Sequence, residues 1–127
     1  LETENVSRYN RGNEAVVENF KASMDMPKAL SVITYGEMIY GCRKSERVAE
    51  NLAKVYHLAD LYPIIDITRS AMDSFGEIKA QLSSAGTTVD DFDLLSGCTA
   101  LALNYTVVTN NTKHYEKIPG LTVVNWA

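Results

Sequence analysis

Cysteine is scarce in this chain: Cys42 and Cys98 are the only two, and each sits in an apolar helical pattern. Two such residues make no disulfide framework, and they read as reduced, buried thiols of a cytoplasmic protein. Long apolar runs are missing as well. No stretch approaches the ~18 consecutive apolar residues of a membrane span, and no basic start leads into an apolar signal segment. A surplus of positive charge is also lacking. Twelve Lys and Arg face 16 Asp and Glu, for a net charge of −4, so any nucleic-acid contact is local rather than a broad basic surface. The two histidines, His57 and His114, have no second His or Cys at metal-ligand spacing, which argues against zinc.

What is present is an alternation of short apolar runs and helical periods. The 127 residues suit one domain with a single core. The run 29–34 (ALSVIT) predicts a buried strand, with a helix from Tyr35 to Arg43 behind it. Val48, Leu52, Val55 and Tyr56 recur at helical spacing within 45–58, so the two helices form a hairpin or one bent helix. The run 61–67 (LYPIIDI) reads as a strand with Pro63 near its start, and Thr68 is a good N-cap. A helix carrying Ala71, Met72, Phe75, Ile78 and Leu82 follows and stops at Gly86.

The remaining elements are a helix over 91–104, strands over 105–109 (YTVVT) and 121–126 (LTVVNW), and weaker helical patterns at 4–9 and 14–24, with a turn at 11–13. Apolar strands without inside-outside alternation, separated by helices, predict a three-layer α/β/α sandwich with a central, mostly parallel sheet. Ligands gather beyond the carboxyl ends of such strands. Glu37 follows the 29–34 run, Asp93 opens a helix, and Asn110 and Asn111 follow the 105–109 run. By themselves the acids near helix starts also have a plain structural reading. Asp90 with Asp93, or Thr88 with Asp91, would make a capping box, and a carboxylate in a first helical turn is favoured by the helix dipole.

Order adds what position alone does not. The segments GTTVDDFDLL (86–95), ALA (100–102), VVTNN (107–111), YEKIPGL (115–121) and NW (125–126), with ITYGEMIYG (33–41) upstream, resemble PIN-domain ribonucleases of the VapC toxin type in sequence and spacing. The first motif resembles Glu2-Thr3 through Ser7, Arg11 and Gly12, so the likeness spans 1–127 as one domain. The resemblance implies that Glu37, Asp93 and Glu2 are catalytic acids and metal ligands, with Asn111 a neutral catalytic auxiliary. Glu2 stands where the family has an aspartate at the end of its first strand. That strand is expected to be truncated at its N-terminus in this sequence.

On that resemblance the acids would hold Mg²⁺ or Mn²⁺, hard cations suited to oxygen ligands, and an activated water would hydrolyse an RNA phosphodiester. Because Asn111 brings no charge, one tight metal site is expected. Thr109 and Asp91 are auxiliaries on this reading, and Arg8, Arg11, Arg43 and Lys113 are candidate RNA contacts. The family also implies a homodimer and a cognate VapB-type antitoxin lying against the helical hairpin. Of Tyr35, Met38, Ile39, Tyr40, Val48 and Tyr56, those exposed on the hairpin would cover a partner there, although core packing is the commoner role of such residues. The alternative is a nuclease-fold binding module that engages a protein or nucleic acid without cutting it, and Glu2 and Asn111 are the residues that raise it.

Overall fold

The computed structural model describes residues 14–24, 28–109 and 112–126. Glu2, Arg8, Arg11 and Asn111, and the elements expected at 4–9 and 11–13, lie outside them.

Helix α1 (Glu14–Ala22) buries Val16 and sets the Phe20 ring edge-on to Tyr62 and Trp126. The first strand, β1, is only Leu30–Ser31, and α2 (Val32–Lys44) begins at once. The reading of 29–34 as strand therefore ran too far. Ser31 caps the helix, its hydroxyl accepting the Thr34 amide hydrogen at 3.1 Å. That bond commits Val32, Ile33 and Thr34 to the first turn and outweighs the few tenths of a kcal/mol by which β-branched residues disfavour helix.

The hairpin alternative holds over the single bent helix. α2 ends where the Ser45 amide and hydroxyl both donate to the Cys42 carbonyl, and α3 (Val48–Leu61) packs back against it. Between them, Leu30 and Met38 form a small core with Val55, Leu58 and Ile64.

Strand β2 (Ile64–Ile65) runs parallel to β1, with Leu30 opposite Ile64 and Ser31 opposite Ile65. It is shorter than the 61–67 expected, because Leu61 closes α3 and Pro63, which has no amide hydrogen, serves only as acceptor to Leu30. α4 (Arg69–Ser84) starts on the Thr68 cap and stops at Gly86, whose φ is +71°. There the Thr87 amide reaches back to the Leu82 carbonyl and the Gly86 amide to that of Ser83, the paired closure that an αL glycine permits.

Of the candidate boxes at the next helix, Asp90 is the cap. One carboxylate oxygen accepts from the amides of Phe92 and Asp93, and α5 (Asp91–Ala102) follows. It ends two residues before the expected boundary because Asn104, at φ +57°, closes it in the same way Gly86 closes α4. Strand β3 (Val107–Val108), a short helix α6 (Thr112–Tyr115) that the sequence reading lacked, and β4 (Val123–Val124) complete the order. β3 and β4 are parallel, Val107 opposite Val123.

The fold is thus α/β with parallel strands, and among the described residues these form two separate pairs, β1–β2 and β3–β4. A cavity of about 570 Å³ is lined by residues of both pairs, including Ser31, Ile65, Val107 and Val124. The main core lies where α4 packs on α5: Ile78, Leu94, Cys98, Val107, Tyr115 and Ile118 are buried together. Each such apolar side chain contributes roughly 1.5–3 kcal/mol. Gly97 faces this core so closely that a Cβ there would stand 2.5 Å from Cδ1 of Ile118, so a larger residue would require that side chain to shift.

Both cysteines are buried, as the sequence reading expected. Burial pushes the Cys98 thiol above its ordinary value. The folded state therefore holds that proton more tightly than the unfolded chain does. Its contribution to stability is complete below the ordinary thiol value of about 8.5 and is lost as pH rises beyond it. In urea unfolding at neutral and alkaline pH, Cys98→Ala should lose less stability on the alkaline step than the unchanged protein. An equal loss in the two would show that Cys98 titrates alike in both states.

Candidate active site

The acid best defined by its surroundings is Asp93. It is the third residue of α5, where its own amide donates to the Asp90 cap and its side chain meets the positive end of the helix. One carboxylate oxygen, Oδ1, accepts a hydrogen bond from the Tyr115 hydroxyl at 3.3 Å. The other, Oδ2, lies 3.0 Å from Nδ1 of His114, and opposite an ionised carboxylate that ring nitrogen must be the donor. The Asp93 side chain is 23% exposed, so its oxygens are held by neighbours yet remain open on one side. Both partners come from α6, on consecutive residues.

Glu37 is an exposed residue of α2. It lies one turn beyond Thr34, and Thr34 accepts a hydrogen bond from Ser31 at 3.2 Å. Ser31 also meets Ser96 of α5 at 3.2 Å, hydroxyl to hydroxyl. Asp93 is one turn before Ser96. The Ser31–Ser96 contact thus ties the start of α2, which goes on to carry Glu37, to α5, which carries Asp93.

Other expected residues are placed differently. Asp91 is half-exposed and takes an ion pair from Lys79 of α4 at 2.9 Å, a link between helices rather than a neighbour of Asp93. Thr109 is fully buried directly after β3, its amide donating to Val124. Arg43 and Lys113 are exposed, in the last turn of α2 and in α6. Of the apolar residues expected on the hairpin surface, Tyr40 and Tyr56 are well exposed. Met38 is not: it faces inward to Leu30, on the core side of α2.

What sequence reasoning missed is that His114 and Tyr115 hold Asp93. They lie 21 and 22 residues from Asp93, beyond any local spacing rule, and reach it only because α6 folds back on α5. The oxygen-rich donors Glu37 and Asp93 suit a hard divalent cation in kind. Among the described residues no group of three His, Cys, Asp or Glu side chains comes together, and Glu2 and Asn111 are outside them.

Residues 9–120 match the PIN domain family. The chain is 35% identical over 98 residues to Ribonuclease VapC2 of Rickettsia felis, covering 77% of this chain and 73% of that protein. It is 32% identical over 98 residues to the tRNA(fMet)-specific endonuclease VapC of Shigella flexneri, covering 77% and 74%. Among solved structures, VapBC2 from Rickettsia felis bound to a DNA fragment from the promoter superposes with a TM-score of 0.89 at 30% identity, over 99% of this chain and 96% of that one. No helix among the described residues is long and apolar enough to cross a membrane.

Proposed function

The chain belongs to the PIN-domain family, and from that premise we propose that it is a metal-dependent endoribonuclease acting as the toxin of a toxin–antitoxin pair. The observation that carries the reading is the placement of Asp93, a carboxylate fixed at a helix start and held at both oxygens, on the helix that packs against the one bearing Glu37. The relatives named as VapC ribonucleases support the same activity.

In this reading Glu37 and Asp93 hold Mg²⁺ or Mn²⁺, with Glu2 as a third acid. When bound, such an ion neutralises phosphodiester charge and makes a coordinated water acidic enough to attack. Asp93 contributes a carboxylate whose orientation is set before substrate arrives, which spares the reaction the cost of arranging it. Asn111 supplies a neutral oxygen, so its contribution to ion binding is weaker than an acid's. Thr109, buried at the end of β3, gives the following segment a fixed starting point. Arg43 and Lys113, with Arg8 and Arg11, contact RNA phosphates, a role that positions the strand without reading its sequence.

A VapB-type antitoxin covers the α2–α3 hairpin through the exposed Tyr40 and Tyr56 rings and places a basic group against the acids. The VapBC2 complex among the structural relatives supports a partner of this kind. Aromatic side chains exposed on a helical face are common anchors of such interfaces. The protein also pairs as a homodimer in this reading.

The test is cleavage of RNA by the purified protein with and without Mg²⁺ or Mn²⁺, together with a Mn²⁺ titration. Cleavage that depends on the cation, and one tight site per chain, are the expected results. Folded protein that binds RNA or an antitoxin but cuts nothing at any cation concentration would make it a binding module instead. Two tight sites would contradict the weak role given to Asn111.

A further inference from the structure

We infer that Tyr115 is a positioning residue for Asp93, and that its hydroxyl sets the affinity of the acidic site for its cation. The inference rests on the reading of Asp93 as a metal ligand and goes beyond it, to what aims that ligand.

Tyr115 is completely buried, in the main core with Leu94, Cys98 and Ile118. A buried ring needs no hydroxyl to fill space, and a hydroxyl taken out of water requires a hydrogen-bond partner. Here the hydroxyl points out of the core to Oδ1 of Asp93, at 3.3 Å. The ring is gripped by the core, so the oxygen at its tip has little freedom. Packing in the interior is thereby converted into a fixed direction for a carboxylate at the edge of the site.

His114 acts on the other oxygen from the same short helix, so the carboxylate plane is held at two points and cannot rotate about χ2 without breaking a bond. Each carboxylate oxygen accepts more than one bond, so both keep acceptor capacity for a cation. Outer partners of this kind typically change metal affinity or activity 10–100-fold when removed. Tyr115 is the partner whose ring is buried in the core, whereas the His114 side chain, with the shorter contact, is 51% exposed.

The experiment is Tyr115→Phe, which deletes one oxygen and keeps the ring. Mn²⁺ affinity is measured by calorimetry well below the melting temperature of both proteins, and RNA cleavage is followed across Mn²⁺ concentration. The dissociation constant for Mn²⁺ and the Mn²⁺ concentration for half-maximal cleavage should both rise about tenfold. Cleavage at saturating Mn²⁺ should fall less than that. A hydroxyl with a structural role only would lower the melting temperature and leave both Mn²⁺ constants unchanged, and that result in a folded variant overturns the inference. Failure of the unchanged protein to bind Mn²⁺ would instead overturn the metal-site reading, and the inference with it. Because the unchanged protein reports on the reading and the variant on the inference, the two failures are told apart.

Discussion

Asp93→Asn should reduce RNA cleavage by more than about 100-fold, beyond the span typical of outer partners, while leaving a folded protein. The amide keeps the shape of the carboxylate and one oxygen that still accepts the Tyr115 hydroxyl, so packing around α5 is preserved. What disappears is the negative charge. With it go the main attraction for a cation and the charge-assisted bond from His114. A carboxylate in a first helical turn is worth roughly 0.3–1 kcal/mol to the helix, so the melting temperature should fall by only a few degrees. Circular dichroism and a melting curve beside the cleavage assay check both halves. A variant that retains a tenth or more of the activity would remove Asp93 from the metal site.

Glu37→Gln should cost a similar factor with even less effect on stability. Its side chain is exposed on α2, and the buried residues of that helix, Thr34, Met38 and Cys42, are untouched. Exposed substitutions of this kind usually stay within about 0.5 kcal/mol. The informative comparison is the double variant. If Glu37 and Asp93 serve one cation, removing the second acid should add little to the loss caused by the first, because residues that act as a unit are strongly non-additive. Independent losses that multiply would place the two acids in separate tasks.

The parts of the fold readable from sequence were those with a local cause. The Thr68 and Asp90 caps each depend on one side chain and the amides within three residues of it, the Gly86 stop depends on a residue without a side chain, and all three are present. Strand lengths were misjudged where a β-branched run is claimed by a neighbouring helix. Val32 and Ile33 look like strand, yet Ser31 turns them into the first turn of α2. Which of the hairpin's apolar residues face the core was not legible, because the pattern of α2 does not say that Met38 is the one that meets Leu30. The α/β class and its parallel pairing were legible because strands and helices alternate along the chain. The reading of Glu37, Asp93 and Glu2 as catalytic acids rests on resemblance over the whole chain, since carboxylates at helix starts have an ordinary structural explanation. The grip on Asp93 was invisible for a physical reason: it is created by a contact between α5 and α6 that no periodicity encodes.

Gly97 lies where the core meets the helix that carries Asp93. Its missing side chain lets α5 lie against Ile118, Leu121 and the Tyr115 ring, one turn from the acid that Tyr115 holds. The carboxylate's helix and the segment that aims it share one packed core, so they are expected to open together. The Cys98 amide, inside α5, should then exchange with solvent more slowly than the Leu94 amide, which bonds to the cap residue Asp90 at the helix end.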